Sequence, residues 1–267
     1  MPELAEVEYY RKQWDPGIGG KVGRVRLHPA ARIFRGCDVK LLERALTGAV
    51  LEQSLAHGKQ MLFGFSGGVW LAVHLGMTGK LFCEPRPYAP GKHDHLVLEL
   101  PEHVLVFYDA RLFGRVRFDQ GPELPGWWQA LPPDLLSEDF TQEALQQFLR
   151  RRARSPLKAV LLMQERFPGI GNWMADEILW RAALHPATRA GQLSAREVGK
   201  LYATIREVCA DAMQVIGTDW GEPPPSWLFT HRWEDGGTCP KTGQMLVRET
   251  IGGRTTCYSP ARQKLKG

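Results

Sequence analysis

The chain has 267 residues and a mass of 30.1 kDa, which is long enough for two domains that each bury a core. A hydrophobic content of 43% and a charged content of 24% exclude a disordered or fibrous chain and are typical of a globular protein. The 34 Lys and Arg outnumber the 29 Asp and Glu, and the resulting net charge of +5 and pI near 9.0 modestly favour a polyanionic partner.

The sequence predicts a cytoplasmic protein without a membrane partner. Its first residues, MPELAEVEYYRKQW, include acids and lack the apolar segment of a signal peptide. No stretch approaches about 18 uninterrupted apolar residues, the length that a membrane-spanning helix needs. The five cysteines are scattered and odd in number, so we expect no structural disulfide.

The first part of the chain predicts one helix followed by strands. Pro2 suits the first turn of a helix, and Pro16-Gly17 ends the segment. Runs of β-branched and aromatic residues between turn residues then predict six strands without intervening helices, with Ser66-Gly67-Gly68 as a hairpin turn. The predicted strands span 21–27, 59–65, 69–75, 95–100, 104–108 and 114–118. Residues 1–120 therefore predict an antiparallel β-sandwich.

Helical patterns dominate after a segment rich in Pro and Gly at residues 121–137, which we interpret as a linker. Helices are predicted for 141–150, from Ser155-Pro156 onward, and from a capping box of Ser194 and Glu197 to Gly217. The predicted helical domain covers 138–230. With the sandwich before it, the chain has an α+β fold.

The most distinctive stretch of the helical part is FPGIGNWMADEILWRAALHP at residues 167–186. Gly169 and Gly171 indicate a tight turn, Asn172 is suited to cap a helix, and apolar residues then recur at helical spacing. Unpaired backbone N–H groups and the positive end of the helix dipole at such a turn can bind phosphate. An ordinary helix start is the alternative interpretation.

The last segment, 231–267, predicts a β-hairpin. An alternating run at 245–251 is followed by the turn Gly252-Gly253 and a second run at 255–258. This pattern places Arg254 at the tip of the hairpin.

Taken together, these stretches resemble the formamidopyrimidine-DNA glycosylase and endonuclease VIII family of base-excision repair enzymes. The resemblance covers nearly the whole chain, and seven motifs occur in the family's order. They are PELAEVE at 2–8, HGK at 57–59, HLGMTGKL at 74–81, KHDH at 92–95, DARLFG at 109–114, the stretch at 167–186, and GGRTTCYSPARQ at 252–263. The resemblance identifies the glycine turn as part of a helix–two-turns–helix.

The resemblance implies catalysis by the N-terminus. Once Met1 is removed, the secondary amine of Pro2 attacks C1′ of the damaged nucleotide, and a Schiff base promotes strand cleavage by successive eliminations. An α-amino group titrates near ~8, so more of it is neutral and nucleophilic at pH 7 than of a lysine. Glu3 is the implied acid/base and Glu6 its helper, with Lys59 beside them as a phosphate-holding lysine. Without the resemblance, a Pro-started helix with acids in its first turn is the alternative.

The resemblance also implies a DNA-binding set. Lys59, His74, Asn172 and Arg254 match residues that grip phosphates, with Gly171 in the central turn, so that the nucleotide can swing out of the stack. The alternatives are a surface role for the lysine and a core role for the histidine.

Three further side chains match those that fill the hole left by the extruded base. They are Met77, Arg111 and Phe113, for which the resemblance implies insertion into DNA. Core packing is the alternative for the methionine and the phenylalanine, although both lie beside predicted loops.

The sequence departs from the family where many members bind zinc through two C-x-x-C pairs. Only Cys239 remains, because Thr242, Ser259 and Arg262 occupy the other three positions. Cys257 lies two residues before the third position and cannot by itself complete a tetrahedral site. We therefore predict a zincless finger and no cofactor, with a zinc site that borrows His231 as the alternative.

We accordingly interpret the chain as a monomeric, bacterial-type, nucleoid-associated DNA glycosylase and abasic-site lyase that acts on oxidised bases in damaged double-stranded DNA. Ala5 and Leu112 differ from residues common in bacterial members, so oxidised purines and oxidised pyrimidines both remain open as substrates. The alternatives are a non-catalytic damaged-DNA-binding protein of the same fold, and a ribosome-type module that uses only the helix–two-turns–helix.

Overall fold

A computed structural model describes residues 1–28 and 31–266. The chain forms two compact units. The first contains Met1–Pro2 and Glu6–Leu131, and the second contains Glu3–Ala5 and the chain from Pro132 onward. The change of unit after Leu131 falls inside the segment predicted as a linker, and the short stretch Glu3–Ala5 belongs with the helical unit.

Strands predominate in the first unit, and helices predominate in the second. The first unit holds most of α1 (Leu4–Lys12), then β1 (Arg24–Leu27), α2 (Val39–Leu46), β2 (Leu51–His57), β3 (Gln60–Phe65), β4 (Val69–His74), β5 (Lys80–Pro85), β6 (Asp94–Glu99), β7 (His103–Tyr108), β8 (Arg115–Gln120) and α3 (Gly126–Gln129). The second holds α4 (Gln142–Arg151), α5 (Leu157–Leu161), α6 (Asn172–Ala182), α7 (Ala195–Asp219), β9 (Val247–Ile251) and β10 (Arg254–Tyr258).

The first unit is a sandwich of two antiparallel four-stranded sheets, in the orders β1-β6-β7-β5 and β2-β3-β4-β8. Alternate residues of both sheets meet in one apolar core, in which the rings of Trp14 and Phe63 lie 4.6 Å apart between centroids. Ser66-Gly67-Gly68 connects β3 to β4, as expected. The α+β fold class with an antiparallel sandwich is therefore confirmed.

The expectation of strands without helices in this region is wrong in one place. Helix α2 lies between β1 and β2, where Asp38 caps it by accepting hydrogen bonds from the backbone N–H groups of Lys40 (3.1 Å) and Leu41 (3.0 Å). Leu42 and Leu46, one turn apart, are its buried residues. Strands β2 and β5 were also not predicted, because both mix polar and apolar residues and are only partly buried.

The second unit is helical as predicted. Thr141 caps α4, and the capping box of Ser194 and Glu197 begins α7, the longest helix. Helix α6 is buried along almost its whole length and packs against α7. Asn172 does not cap α6: the N-cap residue is Gly171, and Asn172 is the first helical residue.

The C-terminal hairpin consists of β9 and β10, with Arg254 paired to Ile251 across the turn. Gly252 and Gly253 both have positive φ, of 61° and 77°, which a tight hairpin turn requires and which glycine adopts without strain. Arg254 is exposed at the tip.

Apolar side chains, and not metal ligands, surround Cys239 at the base of the hairpin. Cys239 is 1% exposed in an apolar cluster, and its Sγ accepts a hydrogen bond from Trp180 Nε1 at 3.3 Å. Thr242, Ser259 and Arg262 offer neither thiolate nor imidazole. These four positions therefore do not fit a tetrahedral zinc site. Within residues 1–28 and 31–266, no group of three His, Cys, Asp or Glu that could hold a metal ion is found. In the same ranges, no helix is both long and apolar enough to span a membrane.

Candidate active site

Glu3 lies at the N-terminus of α6 within the second unit. Its carboxylate accepts hydrogen bonds from the backbone N–H groups of Gly171 (2.8 Å), Trp173 (3.0 Å) and Met174 (3.1 Å). These N–H groups are the ones that the first turn of a helix leaves without an intrahelical partner, and the helix dipole favours negative charge there. A side-chain carboxylate from the chain's third residue therefore caps the central helix, and its own burial, at 3% exposure, is compensated.

Glycine is required at position 171 because no side chain fits there, and not because of its backbone dihedral angles. A Cβ atom at this position would overlap the carboxyl group and Cγ of Glu3. Its φ of −124° is accessible to any residue. The glycine thus allows the carboxylate to approach the helix end.

Asn172 and Arg254 lie close together in the second unit. The side-chain Nδ2 of Asn172 donates a hydrogen bond to the backbone carbonyl of Thr255 at 2.9 Å, and Thr255 directly follows Arg254 on the hairpin. The amide therefore fastens the tip of the hairpin to the start of α6. Both predicted phosphate-gripping residues of this unit, and Gly171 beside them, are brought together.

A buried ion cluster supports this arrangement. Asp176 on α6 accepts from Lys158 Nζ at 2.5 Å, from Arg232 Nη2 at 2.6 Å and from the backbone N–H of Cys257 at 3.0 Å. Lys158 also donates to the carbonyl of Asn172 at 2.8 Å. Burial lowers the pKa of Lys158, and the Asp176 carboxylate opposes that shift. One carboxylate thus joins α5, α6 and β10.

In the first unit, Lys59 and His74 influence each other electrostatically. Lys59 lies in the tight β2–β3 turn after Gly58, and His74 ends β4. His74 Nδ1 accepts a hydrogen bond from the backbone N–H of Gly76 at 3.0 Å, so the neutral ring carries its proton on Nε2. Burial lowers the pKa of His74, and the charges of Lys59 and Arg35 lower it further. A neutral imidazole that carries its proton on Nε2 is suited to donate that proton in a hydrogen bond to a phosphate oxygen.

Met77, Arg111 and Phe113 are exposed on two loops of the first unit. Met77 is 43% exposed and Phe113 42% exposed, and the guanidinium carbon of Arg111 lies 4.9 Å from the centre of the Phe113 ring. Large apolar side chains left in solvent are available for insertion. This exposure contradicts the core-packing alternative for Met77 and Phe113.

Asp109 organises both loops, a role that the sequence interpretation did not assign. It is fully buried, and its carboxylate accepts from the Thr78 hydroxyl (2.8 Å), the Gly114 N–H (2.7 Å) and the Arg111 N–H (3.2 Å). The DARLFG motif contains this aspartate, so an acid directly before an exposed loop was the available signal. Leu112, which lies between Arg111 and Phe113, adopts a φ of 56°, which is unusual for a residue with a branched side chain.

Pro2 and Glu6 complete the predicted set. Pro2 precedes α1 and is half-buried in the first unit. Glu6 lies in the first turn of α1 and is also half-buried. Glu6 also acts on Tyr10. Burial raises the pKa of Tyr10 to about 12, and the charges of Tyr9 and Glu6 contribute to that increase.

Two family models match this chain. The model of the formamidopyrimidine-DNA glycosylase N-terminal domain matches residues 1–116, and that of the formamidopyrimidine-DNA glycosylase H2TH domain matches residues 131–220. The formamidopyrimidine-DNA glycosylase of Carboxydothermus hydrogenoformans is 35% identical over 273 residues, covering 99% of this chain and 100% of its own. That of Thermus thermophilus is 36% identical over 276 residues, covering 98% of both chains.

Solved structures are similar over the same extent. A MutM protein in complex with DNA containing carbocyclic 8-oxo-G matches with a TM-score of 0.88 at 26% identity, covering 98% of this chain and 100% of its own. The Lactococcus lactis protein in complex with DNA containing an oxidised pyrimidine matches with the same TM-score at 25% identity and the same coverage. The chain therefore belongs to the formamidopyrimidine-DNA glycosylase family.

Proposed function

We propose that this protein is a bifunctional DNA glycosylase and abasic-site lyase of base-excision repair, which excises oxidised bases from double-stranded DNA. The observation that carries the mechanism is the carboxylate of Glu3 held by three backbone N–H groups at the start of α6. A carboxylate fixed directly after the N-terminal proline is suited to proton transfer next to an amine nucleophile.

The reaction begins when Met1 has been removed. The lone pair of the Pro2 nitrogen forms a bond to C1′ of the damaged nucleotide, while the bond from C1′ to the base breaks and the base takes a proton from water. The Pro2 nitrogen gives its proton to the Glu3 carboxylate, which passes it to the ring oxygen of the sugar as the bond from C1′ to that oxygen breaks. The iminium ion that results activates C2′ for loss of a proton. β-Elimination then expels the 3′ phosphate, a second elimination expels the 5′ phosphate, and Glu6 assists the proton transfers.

The other residues bind and distort the DNA. Lys59, His74, Asn172 and Arg254 hold phosphates, and the nucleotide rotates out of the stack. Gly171 serves this site by giving the Glu3 carboxylate room at the helix end, because its own N–H is already bound by that carboxylate. Met77, Arg111 and Phe113 then occupy the space that the nucleotide leaves. The exposure of Met77 and Phe113 supports this role.

We further propose a monomeric protein that acts at the bacterial nucleoid without a bound metal, with the two units and the hairpin as the domains outlined from the sequence. Packing of Cys239 against Trp180 supports a hairpin that is stable without zinc. The solved relatives are bound to both oxidised purine and oxidised pyrimidine DNA, so the lesion preference is left to experiment.

Borohydride trapping tests the proposal. Protein whose intact mass confirms loss of Met1 is incubated with duplexes that carry an abasic site, 8-oxoguanine or an oxidised pyrimidine. We expect a covalent adduct through Pro2, and the lesion trapped fastest identifies the preferred substrate. Pro2→Gly is expected to reduce trapping at least about tenfold while DNA affinity is retained. Binding without trapping on any duplex would instead support a non-catalytic damaged-DNA-binding protein.

A further inference from the structure

A basic cavity of about 510 Å³ lies on the sheet β2-β3-β4-β8 of the first unit. Its lining includes Arg35, His74, Phe113, Arg115, Arg117 and Trp127. Side chains of β4 that alternate with these, such as Leu71 and Val73, enter the core, so the cavity occupies the outer face of the sheet.

The strand register places Arg115 and Arg117 in a row beside His74. His74 on β4 is paired with Arg115 on β8, and Ala72 is paired with Arg117. Residues two apart on a strand point to the same face and are separated by about 6.6 Å. Ala72, opposite Arg117, is buried in an apolar cluster that includes Trp127, and it also lines the cavity.

The positive charges of the row are not neutralised by the protein. Across residues 1–28 and 31–266, no carboxylate forms an ion pair with Arg35, Arg115 or Arg117. Asp119, two residues beyond Arg117, instead accepts a hydrogen bond from Trp127 Nε1 at 3.0 Å. Burial lowers the pKa of Arg35, and repulsion by Arg115 and Arg32 lowers it further. Like charges held this close destabilise the fold unless an anion binds among them.

Two of the guanidinium groups are already oriented. Arg35 Nη1 donates to the carbonyl of Gly114 at 2.8 Å, and the Arg117 guanidinium carbon lies 4.1 Å from the centre of the Trp127 ring. A guanidinium stacked on an aromatic face keeps its N–H edges available for bidentate binding of a phosphate. Little side-chain entropy is then lost when an anion binds.

We propose that Arg35, Arg115 and Arg117 bind consecutive backbone phosphates of the DNA beyond the phosphate that His74 holds. This inference rests on the proposed function, because His74 and Phe113, both assigned there to DNA contacts, line the same cavity. A DNA strand that passes His74 meets Arg115 directly opposite it, with Arg35 bound beside it at Gly114, and then Arg117 two residues farther along β8. The contacts carry no base specificity and extend the footprint along one arm of the duplex.

Affinity as a function of arm length tests the proposal. Duplexes with a central uncleavable abasic-site analogue are lengthened separately on each side of the lesion, and binding to the full-length protein is measured by fluorescence anisotropy. We expect lengthening of one arm to increase wild-type affinity and the double variant R115Q/R117Q to lose that gain, about tenfold or more near 50 mM salt. The slope of log K against log salt should become less steep by roughly 2 on the long-arm duplex.

The matched control is R24Q/R44Q, which removes the same charge from exposed positions on β1 and α2 and should retain the gain. Equal weakening of R115Q/R117Q on short and long duplexes, or no weakening, would overturn the proposal. Stabilisation of the wild type by inorganic phosphate without any dependence on arm length would also overturn it, since the cavity would then bind a free anion. Borohydride trapping is scored separately, so failure of the chemistry is distinguishable from failure of the arm contact.

Discussion

At the scale of single residues, the capping of α6 by Glu3 makes a steric prediction. In Gly171→Ala, the new methyl group would occupy the position of the Glu3 carboxyl group, so the carboxylate must leave the three N–H groups. We expect base excision to slow at least about tenfold, a loss of transition-state stabilisation of about 1.4 kcal/mol or more. Single-turnover rates on a lesion duplex measure this effect.

Gly126→Ala is the matched control for that substitution. Nothing lies within 4 Å of a Cβ atom at Gly126, which begins α3. Its excision rate should equal that of the wild type. If Gly171→Ala were equally active, Glu3 would not depend on its position at the helix end, and its assignment as acid/base would lose its structural support.

His74 gives a prediction for pH. Its pKa is lowered in the folded protein from an ordinary value of 6.5, so the unfolded chain takes up the proton first as the pH falls. The free energy of unfolding should therefore decrease below about pH 6.5 through this group. Denaturant titrations between pH 5 and 7.5 should show a smaller decrease for His74→Gln than for the wild type. An identical decrease in both proteins would mean that other groups, such as His95 and His185, account for it.

The sequence correctly predicted that Met77 and Phe113 are exposed, because their motifs place both beside loops. It could not reveal that Asn172 fastens the hairpin instead of capping α6, because its partner, Thr255, is 83 residues away in sequence. The roles of Asp109 and Asp176 were missed for the same reason, since each depends on partners brought together only by folding.

At the scale of elements, Asp176 connects α6 to α5 and the hairpin. Asp176→Asn would leave the buried cations Lys158 and Arg232 without a counter-charge. Removing one partner of a buried ion cluster costs about 3 to 5 kcal/mol, so we expect a decrease of that size in the free energy of unfolding. Denaturant unfolding measures it.

Glu165→Gln serves as the control, because Glu165 pairs with Arg152 and the two side chains are 60% and 42% exposed. Exposed ion pairs contribute about 1 kcal/mol or less, and this variant should remain close to wild-type stability. Comparable decreases in the free energy of unfolding for both variants would show that burial does not increase the contribution of the Asp176 cluster to stability.

The hairpin makes a prediction about metal. Cys239 is held by packing and by hydrogen bonds from Trp180 and Thr242: burial raises the pKa of its thiol, but these hydrogen bonds bring it down to about 7. Because the residues present cannot supply a tetrahedral zinc site, dialysis against a chelator should leave Tm unchanged within about 1 °C. Elemental analysis should find well under one zinc per chain. A lower Tm after chelation, restored by zinc, would contradict this interpretation.

Elements with strong local signals were correctly predicted. The capping box before α7, the hairpin turn before Arg254 and the turn between β3 and β4 each depend on neighbouring residues alone. Helix α2 and strands β2 and β5 were missed because exposed polar residues interrupt their apolar patterns. Strand β2 pairs with β3 and β5 pairs with β7, and their exposed faces dilute the apolar pattern.

At the scale of the whole molecule, binding to DNA should be governed by where the cations lie and not by the net charge of +5. Each phosphate neutralised contributes about −0.9 to the slope of log K against log salt. Lys59 and Arg254 alone predict a slope of about −2, because a neutral His74 and Asn172 release no counterion. Adding the three arginines of the cavity predicts about −4.5 on a duplex with long arms.

The two double variants separate these explanations, since R115Q/R117Q and R24Q/R44Q lower the net charge equally. We expect a slope near −2.7 for the first and near −4.5 for the second, measured between about 50 and 200 mM salt. Equal slopes for both variants would mean that the net charge of the whole protein, and not contacts with particular arginines, determines the salt dependence of DNA affinity. Repeating the titration at pH 7.5 and 8.5 should leave each slope unchanged, because burial and the charges of Lys59 and Arg35 lower the pKa of His74 from its ordinary value of 6.5.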